Sequence, residues 1–229
     1  MYNNILIFDI ETKKNNDLVD LIPLPKLKEA PKNYKDQSKI DAFEASAIVE
    51  QECMILEQRS RMSLDVDFAK IACIGIATSF EPSSRLVLMC RDLKEEIDAL
   101  KKFWSYALYC NLIGYNIIYF DLPIIMRRSM MLGVRPSFLL EQNRAKYTDN
   151  IIDLQLKLYN NGYVTNMNNQ KPFARKQEAI CKILGIENPL IGIDGSMVKN
   201  MTDQELFDYN MNDLLLTQQL AAKMQGYYF

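Results

Sequence analysis

Apolar and polar positions change period several times along the chain. Asn4–Ile10 reads as a strand that ends in acid, and the polar stretch 13–37, with Pro23, Pro25 and Pro31, predicts a long surface loop. Ser38-Lys39-Ile40-Asp41 resembles a capping box. It opens a helix expected to reach about Met62, with Ile40, Phe43, Ala47 and Met54 near helical spacing. Residues 13–67 therefore read as a loop and helical insertion between two strands. Lys70–Ser79 and Arg85–Met89 follow as strands, parted by the turn Glu81-Pro82-Ser83-Ser84.

Beyond them the pattern predicts a helix over Asp92–Tyr109, a strand over Asn111–Asn116 and a helix over Asp121–Leu132 closed by Gly133. A short strand, Asn150–Ile152, leads into a helix near Asp153–Tyr159, and an Asn-rich loop occupies 160–172. Helices are expected at about 174–184 and 203–224, the last opened by a second capping box, Thr202 with Glu205. The order β-(insert)-β-β-α-β-α-β-α-α-α implies an α/β fold, a mixed β-sheet with helices packed on it.

Composition narrows the chemistry more than the fold. With 229 residues and 48% hydrophobic content, the chain suits one large α/β domain carrying one insertion. Five widely spaced cysteines, an odd number without a C-x-x-C pair, read as reduced thiols. No secretory signal is visible and no apolar run approaches about 18 residues, so a soluble, cytoplasmic protein with no membrane partner is expected.

Histidine is absent. That excludes Ser–His–Asp hydrolases, Cys–His proteases and His-based zinc sites, and leaves carboxylates, metals, Lys, Tyr or Cys for any hydrolysis. The net charge of −2 argues against a general nucleic-acid-coating protein, although residues 127–182 hold ten Arg/Lys and four Asp/Glu. That region could receive a phosphate strand or be an unevenly charged solvated surface.

Three places carry candidate chemistry. In IFDIET, strand alternation puts Ile5, Ile7, Asp9 and Glu11 on one side. Two like carboxylates at the end of an apolar face suit a bound cation, though a solvated strand terminus with a turn at Thr12 gives the same letters. In Asn116-Ile-Ile-Tyr-Phe120-Asp121-Leu-Pro123, Asp121 stands where a helix N-cap would be. Asn116 and Phe120 beside it would line the crevice at that strand–helix junction. In the last helix, Leu206, Tyr209, Asp213, Leu216 and Leu220 share one face, and a lone aspartate in an apolar stripe needs a metal or a basic partner.

Taken in order, IFDIET, N-x-x-x-F-D and Y-x-x-x-D resemble the three motifs of the DEDD exonucleases, which have the ribonuclease H-like fold. The tyrosine marks the DEDDy subgroup, and GYNIIYFDLPIIMRRS is similar to family B polymerase proofreading domains, including stand-alone bacterial and phage forms. The resemblance spans about residues 4–224. It implies a 3′–5′ exonuclease acting on single-stranded DNA, with RNA or a catalytically silent nucleic-acid-binding module as alternatives. It further implies that Asp9, Glu11, Asp121 and Asp213 bind two Mg²⁺ or Mn²⁺ ions and that Tyr209 orients the attacking water. Thr12 and the backbone at Ile10 would contact the terminal nucleotide, Asn116 the strand, and Phe120 would wall the pocket. The activity is expected to be autonomous or lent in trans to a polymerase or another replication or repair protein. The segment Gly192–Val198 lacks the lysine found at this place in some relatives.

Overall fold

Five strands, β1 (Ile5–Lys14), β2 (Ala69–Ala77), β3 (Arg85–Met89), β4 (Asn111–Gly114) and β5 (Ile151–Asp153), form one mixed sheet in the order β3-β2-β1-β4-β5. β4 runs parallel to both β1 and β5, with Ile5–Ile7 opposite Asn111–Ile113, while β2 and β3 pair antiparallel. Among the described residues the α-helices are α1 (Gln37–Arg61), α2 (Leu93–Ala107), α3 (Asp121–Met131), α4 (Leu154–Leu158), α5 (Gln177–Ile183) and α6 (Asp203–Met224). This computed structural model describes residues 4–137, 150–159, 176–190, 192–193 and 195–229. The Asn-rich loop at 160–172 lies outside them. The architecture is the mixed α/β sheet with flanking helices read from the sequence, compatible with a ribonuclease H-like fold.

The apolar run that opens β1 is buried on both faces, as a strand beside a parallel partner and between helices must be. Leu6, Ile7 and Phe8 are all fully buried. Phe8 meets Phe103 of α2 edge-to-face at 5.1 Å, and Phe103 meets Trp104 at the same spacing. The Trp104 indole donates to Ser129 of α3 at 2.9 Å. Ile7 points the other way, into a cluster with Ile113, Cys181 of α5 and Leu214, Leu216 and Leu220 of α6. Each such side chain contributes about 1.5–3 kcal/mol on burial.

α2 and α3 are tied together by a buried ion pair. Arg128 donates both Nε and Nη2 to Glu96 at 2.7 Å, and Glu96 also accepts from the Ile71 amide at 3.0 Å. Arg128 is one of the ten cations in 127–182, a region whose charge suits either a phosphate strand or a solvated surface; buried against Glu96, it serves neither. Arg144, Lys146, Lys171 and Arg175 of that region fall outside the described residues.

Several element ends differ from the sequence reading by one to four residues, and three of them have a clear local cause. β1 continues to Lys14, because the period-two alternation persists through Thr12. β4 stops at Gly114, where a Cβ would lie 2.8 Å from the Phe8 carbonyl, and Asn116 turns the chain with φ 62°. α1 is capped by Asp36, which accepts from the Ser38 amide at 3.0 Å, so Ser38 already lies inside the helix. The capping box at Thr202 and Glu205 is present as read.

The chain divides into two compact units, one of Met1–Lys13 with Ile71–Phe229 and the other of Lys14–Lys70, where the sequence placed an insertion at 13–67. The smaller unit carries α1, of which only Ala47 is buried, and a 3-10 turn at Asn16–Leu21. All five cysteines are free thiols. Among the described residues no helix is long and apolar enough to cross a membrane.

Candidate active site

Asp9 and Glu11 inherit their direction from Ile7. Alternation along β1 sends Ile5, Ile7, Asp9 and Glu11 toward the face that α5 and α6 cover, where Ile7 is fully buried and Asp9 and Glu11 are half-buried. α6 completes the cluster from above. One carboxylate oxygen each from Asp9, Glu11 and Asp213 lie within 4.8 Å of one another. Tyr209, one helical turn before Asp213 and 7% exposed, lies on the same face of α6 as the Asp213 carboxylate and interacts with it electrostatically.

Asp121 reaches the cluster by a different route. It is the first residue of α3, and Phe120 before it makes no capping hydrogen bond. The Asp121 carboxylate accepts instead from the Ile10 amide across 3.0 Å. That amide points toward β4 like the Phe8 carbonyl, but β4 has already ended at Gly114, so β1 would leave it unpaired. The local N-cap explanation for Asp121 is thereby replaced by a long-range one. The carboxylate is buried against β1 and is not among the three oxygens drawn together.

The electrostatics are those of a site built for positive charge. Burial, then repulsion from Asp121, Glu11 and Asp213, holds Asp9 well above the usual carboxylate range; the Asn210 amide works in the other direction. Burial and repulsion from Asp213 and Asp121 do the same to Glu11. Burial pushes Asp121 up to about 7, offset by its hydrogen bond from Ile10, and pushes Asp213 up to about 6 against the Tyr209 hydroxyl. Among the described residues, no Lys or Arg pairs with any of the four. An all-oxygen donor set without a soft ligand fits hard divalent cations.

The residues expected at the substrate lie close in sequence to this cluster but in varied settings. Thr12 is buried one position beyond Glu11, and the Ile10 amide is already engaged by Asp121. Asn116 and Phe120 are half-buried on the loop before Asp121. That loop is held by a residue the sequence reading passed over. Asp153 accepts from the Asn116 and Ile118 amides at 3.1 Å while capping its own helix through Leu156. Asn210 was also missed. Its side chain is fully buried and donates to Asp9 at 2.9 Å. Its signal was a second amide-bearing position within Tyr209–Asp213, beside the apolar stripe.

The protein is thus of the mixed α/β class, a five-stranded sheet flanked by helices in which carboxylates of the central strand and of α6 lie within 4.8 Å of one another. Residues 63–227 match a family described as a predicted 3′–5′ exonuclease related to the exonuclease domain of PolB, and the chain belongs to that family. The match begins after β1, so Asp9 and Glu11 join the site through the fold. No curated protein matches the chain.

Proposed function

We propose that the protein is a metal-dependent 3′–5′ exonuclease that hydrolyses single-stranded DNA to nucleoside monophosphates, with Asp9, Glu11, Asp121 and Asp213 as its metal-binding carboxylates. The observation that carries this reading is the convergence of Asp9, Glu11 and Asp213, with Asp121 buried beside them and no described cation in partnership. Divalent cations held there supply Lewis acidity to the phosphate oxygens and acidify water. The chain's own residues do the rest. Asp121 ties α3 to β1 and so sets the spacing of the two sides of the cluster. Tyr209 stays protonated, because burial and the neighbouring carboxylates push its phenol up, and it serves as a hydrogen-bond donor rather than a base.

The deciding experiment is digestion of 5′-labelled single-stranded DNA and RNA with Mg²⁺, Mn²⁺ or EDTA. A ladder shortening from the 3′ end, seen with either ion and abolished by EDTA, is expected, with DNA the better substrate. Cutting of circular single-stranded DNA would refute the exonuclease reading, and preference for RNA would correct the substrate alone.

Tyr209→Phe keeps the ring's packing and removes only the hydroxyl. Turnover is expected to fall, on the order of 10²-fold at most, with little change in DNA affinity or melting temperature. Steady-state kinetics separate the two: an unchanged kcat would reduce the tyrosine to a packing residue.

A further inference from the structure

The Asn210 side chain is fully buried, yet only one end of its amide is satisfied. Nδ2 donates to Asp9 Oδ2 at 2.9 Å, whereas Oδ1 has no hydrogen-bond partner among the described residues. An apolar residue at this position of α6 would avoid that cost, so packing alone does not account for the amide. Its orientation follows from charge. Turned over, it would set its carbonyl oxygen against an acceptor-only carboxylate.

The strand beneath is shaped to the same end. A Cβ on Gly75 of β2 would lie 2.4 Å from Asn210 Oδ1 and 3.2 Å from its Cγ, so any larger residue would displace the amide. Gly75 sits mid-strand, paired with Val87, where glycine weakens a sheet without some close approach to accommodate. Three elements, β1, β2 and α6, thus converge on one hydrogen bond to one carboxylate.

We propose that Asn210 is a positioning residue for the metal centre, seated on Gly75, which holds the Asp9 carboxylate in the rotamer that meets Glu11 and Asp213. The inference rests on the metal reading given above. By occupying Oδ2, the amide leaves Oδ1 as the less encumbered oxygen of Asp9.

Mn²⁺ titration calorimetry and metal-free thermal unfolding of the full chain test this in the wild type, Asn210→Ala, Gly75→Ala and the double variant. Asn210→Ala is expected to weaken Mn²⁺ binding about 10–100-fold while keeping the native circular dichroism. Gly75→Ala, which leaves the donor in place but displaces it, is expected to weaken binding comparably and to lower the metal-free melting temperature. In the double variant the added methyl meets no amide, so both effects of Gly75→Ala should vanish against Asn210→Ala. Mn²⁺ affinity within about twofold of wild type in Asn210→Ala would overturn the positioning role and leave the metal reading standing. Independent, additive losses would overturn it as well. A wild-type protein that binds no Mn²⁺ would overturn the metal reading, and this inference with it. Should Asn210→Ala fail to fold, Gly75→Ala decides through its Mn²⁺ affinity.

Discussion

Asp9→Asn and Asp213→Asn are each expected to lower exonuclease turnover at least about a thousandfold, equivalent to roughly 4 kcal/mol of lost transition-state stabilisation. Asparagine preserves size and, at position 9, still offers an oxygen to the Asn210 amide. What it removes is one negative charge from the group that would hold the cations. The same change should act oppositely on stability. In metal-free protein burial, and then repulsion from Asp121, Glu11 and Asp213, disfavours a charge on Asp9, so a neutral side chain there relieves the native state while the unfolded chain barely registers it. The metal-free melting temperature should therefore rise, by about 2–4 °C for each kcal/mol of repulsion removed. Added Mn²⁺ should raise the wild-type melting temperature further and leave the variants nearly unmoved, because only a ligand bound to the native state stabilises it. Calorimetry with and without EDTA, beside a nuclease assay, reads all of this. An active Asp9→Asn enzyme would sink the metal assignment, and an inactive one that melts lower than wild type would mean that the carboxylate is structural.

Arg128→Ala carries the largest expected loss of stability. The guanidinium and the Glu96 carboxylate face each other with side chains 5% and 4% exposed, and both nitrogens of the fork are used. Removing the arginine leaves a buried anion whose remaining described donor is the Ile71 amide. Such a deletion costs about 3–5 kcal/mol, so the midpoint of urea unfolding should drop sharply. Replacing both partners by apolar residues of similar volume should recover most of the loss, since the desolvation of two charges disappears along with their attraction. The prediction also separates two roles. If Arg128 were part of a phosphate-binding surface, Arg128→Ala would weaken DNA binding while leaving stability nearly intact. The buried geometry calls for the reverse at temperatures where the variant stays folded.

The local devices of the site were legible in the chain because they depend on short-range periodicity. Period two put Asp9 and Glu11 on the face of Ile7, and period 3.6 put Asp213 one turn from Tyr209; both rules act over a few residues. The capping box at Thr202 and the strand Arg85–Met89 were equally local. The resemblance in motif order added that the separate acids belong together. What remained ambiguous was every side chain whose partner lies far along the chain. Asp121 looked like an N-cap until the Ile10 amide, 111 positions away, was seen to claim it. Arg128 looked like a surface cation because nothing near it in sequence announces Glu96. Asp153 read as the start of a helix, although it also holds the loop that turns at Asn116. Gly75 carried no signal and Asn210 only that of an amide beside the apolar stripe; their meaning lies in the crossing of a helix over two strands. Propensity and periodicity act between neighbours in sequence. A buried charge or amide takes its role from whichever donor or acceptor the packed fold brings within about 3 Å, and that partner is settled only when the elements have assembled.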